Sequence, residues 1–132
     1  MSCKSALYAA NTTPQALPIN SVISFGSIVR RFGSNFNLSG GNLVAMGAGY
    51  FDLDAAFNVF GTATGNATIT LYKDGVAIPG ATQTVGVADG SRTNVTIPVI
   101  IRNNCCRDIT ITAVLTGAGA TINTATIAAE KI

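Results

Sequence analysis

Phe51-Asp52-Leu53-Asp54-Ala55-Ala56-Phe57-Asn58-Val59 decides the fold class of this chain. Its odd positions are all apolar, while Asp52, Asp54 and Asn58 occupy even ones. A period of two places these sets on opposite faces of an extended strand. The pattern recurs further along the chain. Ala67, Ile69 and Leu71 alternate with Thr68, Thr70 and Tyr72, and Val95, Ile97 and Val99 alternate with Asn94, Thr96 and Pro98. Proline has no amide hydrogen for a sheet ladder, so Pro98 marks an edge strand or a bulge.

Residue types point the same way. Thr, Ile and Val number 16, 13 and 10, whereas Leu numbers 7, Gln 2 and Glu 1. That balance favours strands over helices, and no stretch of ten residues shows a helical period. Turn signals interrupt the chain at short intervals: Ser39-Gly40-Gly41-Asn42, Gly47-Ala48-Gly49, residues 61–66, Asp74-Gly75, Pro79-Gly80, Asp89-Gly90, residues 102–104 and Gly117-Ala118-Gly119. This spacing is that of a sandwich or barrel. Asp74-Gly75 is the strongest hairpin signal, because a two-residue turn there needs positive φ. At 132 residues the chain holds one core, so a single all-β domain is expected over 1–132. Residues 1–7 read as either a loose arm or a docking peptide.

Composition excludes several functions. Charged residues make up 11% of the chain and hydrophobic ones 48%, with a mean hydropathy of +0.42, which is incompatible with disorder. The net charge of +2 is scattered, so neither nucleic acid nor an anionic membrane is an expected partner. With no His, the usual proton shuttle and commonest metal ligand are missing. No Ser occupies a nucleophile elbow. The uncharged stretch 109–129 approaches membrane-spanning length. Its six Thr and its Gly117-Ala118-Gly119 break read instead as two strands joined by a turn. Residues 1–10 lack the apolar run of a secretory signal, so export is not expected by that route.

A few residues stand out from this background. Cys3, Cys105 and Cys106 form an odd set without zinc-site spacing. They are expected as free thiols, with an inter-subunit cross-link through Cys3 or Cys106 as the alternative. Asp52 and Asp54 share a strand face, where they are solvated, paired with Arg30 or Arg31, or shared by a cation. Arg30 and Arg31 are adjacent and point to opposite faces of a strand, so one is expected to face inward or toward a partner subunit, and an inter-subunit salt bridge is the favoured reading. The sequons at Asn11, Asn37, Asn66 and Asn94 follow from abundant Asn and Thr. From Ala120 to Ala129 both strand faces read as small or apolar. A strand covered on both faces needs a second neighbour, and another subunit supplies one.

The order of several segments resembles a known group. Leu7-Tyr8-Ala9-Ala10-Asn11, Val29-Arg30-Arg31-Phe32-Gly33, Leu38-Ser39-Gly40-Gly41-Asn42, Gly49-Tyr50-Phe51-Asp52-Leu53 and Thr70-Leu71-Tyr72-Lys73-Asp74-Gly75-Val76-Ala77-Ile78-Pro79-Gly80 look like the C1q/TNF-like jelly-roll domains of Firmicutes and their phages. The likeness runs over nearly the whole chain, and its closing Glu130-Lys131-Ile132 is the less specific part. It implies an antiparallel two-sheet jelly roll of about ten strands, assembled as a homotrimer. It also implies that the sheet holding the strand from Tyr50 and the final strand faces the threefold axis. Alternation then selects Tyr50, Val114, Ala125 and Ile127 as the expected trimer interface.

Such domains cap collagen-like stalks on spores or form surface parts of phage particles, and this sequence has no Gly-X-Y tract. The resemblance therefore implies a non-enzymatic phage virion component, a head fibre or decoration, with the spore surface as the alternative location. No catalytic, cofactor-binding or metal-binding residue is expected. The implied partners are further copies of the chain and other virion or surface proteins. A host-surface glycan or receptor is the alternative partner, met by the loops at residues 61–66 and 89–93.

Overall fold

The computed structural model describes residues 4–104 and 107–132 and contains strands but no helix among them. Cys3, Cys105 and Cys106, and with them any cross-link, lie outside the described residues. The strands are β1 (Ala6–Asn11), β2 (Gln15–Leu17), β3 (Ser21–Ile23), β4 (Ser27–Phe32), β5 (Phe36–Ser39), β6 (Asn42–Ala45), β7 (Gly49–Gly61), β8 (Gly65–Lys73), β9 (Val76–Val87), β10 (Arg92–Asn103), β11 (Ile109–Gly117) and β12 (Ala120–Lys131).

They form two antiparallel sheets. Sheet I runs β10-β7-β12-β1-β4 and sheet II runs β5-β6-β11-β8-β9. Ten strands therefore make the two main paths. The three-residue strands β2 and β3 are additions, pairing with β12 and β11 respectively. From β9 onward each connection crosses from one sheet to the other, so every later strand lands beside one laid down earlier. Pro98 lies on β10, the edge of sheet I, the part of a sheet that best tolerates a residue without an N–H.

Alternation fills the space between the sheets. Phe51, Leu53, Ala55, Phe57 and Val59 of β7 face Ile69 and Leu71 of β8 and Ile111, Ala113 and Leu115 of β11, and all are buried. Two aromatic pairs tie the layers. Phe25 and Phe57 have ring centroids 5.8 Å apart, and Phe36 and Phe51 meet edge to face at 5.3 Å. Burying each such side chain contributes about 1.5–3 kcal/mol.

Four local expectations meet the structure differently. Asp74 (φ 51°) and Gly75 (φ 82°) form the tight turn between paired Lys73 and Val76, as their sequence demands. Pro79-Gly80, expected to be a turn, lies inside β9 next to a register shift against β8, so an edge strand absorbs it as an irregularity.

The third expectation concerns the closing strand. Ala120 and Ile122 are even, whereas Ala125, Ile127 and Ala129 are odd, yet all five are buried between the sheets. A bulge between Ile122 and Thr124 inserts one residue against β7 and flips the alternation. What reads as a strand apolar on both faces is a single apolar face interrupted once. Fourth, neither Arg30 nor Arg31 turns inward. All six residues of β4 are exposed, and Arg31 donates a hydrogen bond to Asn37 Oδ1 at 3.3 Å.

A candidate assembly face

Each sheet has one face turned away from the core, and the two differ in chemistry. On sheet II that face is built from Thr68, Thr70, Tyr72, Thr110, Thr112, Val114 and Thr116, with Val22 beside Val114. The hydroxyls of Thr68 and Thr84 lie 2.8 Å apart and those of Thr70 and Thr82 3.1 Å apart, so cross-strand partners satisfy one another.

The outer face of sheet I is ordered in rows by its register. One row runs Ile100, Asp52, Glu130, Ala6, Phe32, and the next runs Pro98, Asp54, Ala128, Tyr8, Arg30. Thr96, Ala56, Thr126, Ala10 and Ser27 make a third, of small side chains only. Beyond it, Asn58 donates to Asn94 Oδ1 at 2.8 Å and accepts from Asn123 at 3.1 Å. Large apolar groups stand exposed here: Tyr8, Phe32, Tyr50 and Ile100 are 42%, 67%, 51% and 61% accessible.

Between these groups lies an open groove of about 510 Å³. Tyr8, Arg30 and Phe32 form one wall and Asp52, Asp54 and Glu130 the other, with Ala128 between them. Asp52 and Glu130 are direct cross-strand partners, an arrangement in which like charges repel. Among the described residues no side-chain hydrogen bond and no ion pair within 4.0 Å engages Asp52, Asp54, Glu130 or Arg30. The other arginines flanking this face are occupied. Arg102 lies 5.6 Å from the centre of the Tyr50 ring and Arg92 5.8 Å from that of Phe60.

Of the four expected interface residues, only Tyr50 is on this face. Ala125 and Ile127 are fully buried in the protomer's own core, so they have no surface left for a neighbour. Val114 belongs to sheet II, on the opposite side of the molecule. The expectation failed on β12 because the bulge hides which parity faces outward. Val114 was assigned to the wrong sheet because alternation does not say which sheet a strand joins. Sequence reasoning missed Tyr8, Phe32 and Ile100. Ile100 had a readable signal, since it follows Asn94, Thr96 and Pro98 on the polar parity of β10 yet is apolar. The expected pair Asp52 and Asp54 does share one face, and among the described residues no group of three or more carboxylate or thiol side chains is arranged to hold a metal ion.

No family model matches the chain, and no curated protein matches it in sequence. Solved structures match its fold along its whole length. The Eiger TNF of S. frugiperda superposes with a TM-score of 0.71 at 8% identity, covering 97% of this chain and 91% of that one. The globular domain of zebrafish complement 1qA gives 0.71 at 7% identity over 98% and 97%. The PRD1 vertex protein P5 gives 0.65 at 17% identity over 100% and 99%. The fold is the TNF/C1q-like jelly roll. That jelly roll accounts for the two five-strand paths and the crossing connections, and it leaves the role of the outer face of sheet I to the chemistry of its residues.

Proposed function

We propose that this chain is a non-enzymatic homotrimeric structural protein of a particle surface, a head-fibre or decoration component of a phage virion, and that copies meet through the outer face of sheet I. The observation that carries the reading is the contrast between the two outer faces. On sheet II the hydroxyls of Thr68 and Thr84 and of Thr70 and Thr82 satisfy each other, whereas sheet I exposes Tyr8, Phe32, Tyr50 and Ile100 around a strip of alanine and threonine. Exposed aromatic and aliphatic groups around a small-residue floor make a surface that gains by being covered. The likeness to a phage vertex protein over the full length of both chains supports the particle setting, with a spore surface as the alternative. Other virion or surface proteins are the partners this reading requires.

Light scattering on a sizing column tests the assembly. The expected mass is three times 13.5 kDa across concentrations, with and without reductant, and a monomer at every concentration overturns it. Mass spectrometry of purified particles from the source tests the setting, which is abandoned if the chain is absent from them.

A second reading, an adhesin that binds a host-surface glycan or receptor, draws on one end of the sandwich. There the connections at residues 61–65, 88–91 and 117–119 are tied together: Gly61 N donates to Ser91 O, Gly90 N to Gly61 O and Ala118 N to Asn66 O. A Cβ at Gly61 would come within 2.3 Å of the Ala88 carbonyl oxygen, so this close approach requires glycine. Loops held on a rigid scaffold suit recognition. Binding of the trimer to cells or to a glycan array, lost on replacing residues 62–64, is the outcome this reading requires.

A further inference from the structure

We propose that Arg30 of one copy forms an ion pair with Asp54 of the adjacent copy, with Asp52 and Glu130 extending the acidic site. This inference rests on the reading of the outer face of sheet I as the contact between copies, and it names the groups that lock that contact.

Within one protomer this face leaves charges unpaired among the described residues. Three of the chain's six acidic residues, Asp52, Asp54 and Glu130, are gathered on one wall of the groove, two of them directly opposite each other on paired strands. Such a cluster is unfavourable unless a cation is brought to it. The protomer has a cation in the same row as Asp54, namely Arg30, but three strand spacings separate them, roughly 14 Å. That span exceeds direct contact across a single sheet face.

Arg30 is also the arginine left over on this side of the molecule. Arg92 and Arg102 are stacked on Phe60 and Tyr50, and Arg31 donates to Asn37. A second copy shifted across the face resolves both problems at once, because it sets its Arg30 over the acidic wall while Phe32 and Tyr8 cover the alanine floor. Arginine suits this position, since its planar fork meets a carboxylate through two parallel hydrogen bonds. The pair sets register and orientation between copies, and the apolar groups around it supply the surface to be covered.

Charge reversal and its reciprocal test the pair. R30E and D54R, each measured by sedimentation equilibrium, are expected to raise the concentration at which the trimer dissociates by about 10-fold or more. The double variant R30E/D54R is expected to recover most of that loss, because the pair is rebuilt with its signs exchanged. Two results overturn the proposal: single variants that assemble like the wild type, or a double variant no better than the weaker single. A wild-type chain that is monomeric throughout overturns the assembly reading itself and the pairing with it, so the two failures are told apart by the first sample measured. Both positions are exposed and far-UV circular dichroism confirms folding of each variant. If a reversal unfolds the protomer, the cycle of R30Q, D54N and R30Q/D54N reads the same contact. Non-additive effects on dissociation support the pair, and strictly additive ones refute it.

Discussion

The outer face of sheet II and the outer face of sheet I arise from the same alternation, yet one is finished within the protomer and the other is not. On sheet II threonines oppose threonines in the pairs Thr68–Thr84 and Thr70–Thr82, and in each pair one hydroxyl donates a hydrogen bond that the other accepts. Sheet I carries three carboxylates and an arginine without partners among the described residues, and it leaves four large apolar side chains in water. The difference teaches that a period of two only divides residues into two sets. What each set then meets depends on whether its side chains can satisfy one another across the strands.

The largest test of this division acts on the strand that belongs to both the core and the proposed assembly face. Deleting Asn123 removes the bulge of β12 and forces one half of the strand to turn over. Either Ala120 and Ile122, or Ala125, Ile127 and Ala129, then face solvent instead of the core. The loss is expected to exceed about 4 kcal/mol. Cooperative urea unfolding followed by circular dichroism is expected to vanish, and a deletion variant as stable as the parent would show that the bulge does not set the register.

A medium effect compares the two faces at matched exposure. Tyr50 on sheet I is 51% accessible and Val22 on sheet II is 52% accessible, so replacing either by serine removes a half-exposed apolar group. Tyr50→Ser is expected to weaken self-association by about 10-fold or more, as loss of an interface aromatic does. Val22→Ser is expected to leave association within about 2-fold. Sedimentation equilibrium on both variants decides the matter. Equal shifts would mean that the faces do not differ in function, and the contrast drawn above would fall.

Much of the fold was legible because burial imposes period two wherever a strand has one dry face. The strand at residues 51–59, the Asp74-Gly75 turn and the edge placement of Pro98 all follow from local chemistry, and the two-sheet jelly roll followed from the resemblance carried by the segments around Tyr50 and Asp74. The candidate face was less legible. Asp52, Asp54 and Tyr50 could be placed on one side of β7, but the rows that bring Arg30 and Phe32 alongside them depend on pairing between strands distant in sequence. Ala125 and Ile127 were misplaced for a related reason. A bulge leaves no composition signal, and one asparagine among threonines and alanines looks like any other strand residue. Pro79-Gly80 failed in the opposite way, since a strong turn signal was accommodated on an edge strand, where a broken ladder costs little.

The smallest effect sharpens the claim that sheet II is complete in itself. Thr70 is buried, with 8% exposure, whereas Thr82 is open to water. Their shared hydrogen bond is therefore asymmetric in what its loss leaves behind. Thr82→Val strands the Thr70 hydroxyl without a partner and is expected to cost about 1 kcal/mol. Thr70→Val leaves the Thr82 hydroxyl to solvent and is expected to cost less than about 0.5 kcal/mol. The double variant is expected to match Thr70→Val, because no buried hydroxyl remains to be satisfied. Urea midpoints at one fixed protein concentration measure these differences, since the proposed assembly would link apparent stability to concentration. Equal costs for the two single variants would mean that Thr70 is as well served by water as by Thr82. The outer face of sheet II would then owe its neutrality to solvent, not to its own cross-strand pairs, and the distinction from sheet I would rest on the exposed apolar groups and unpaired charges alone.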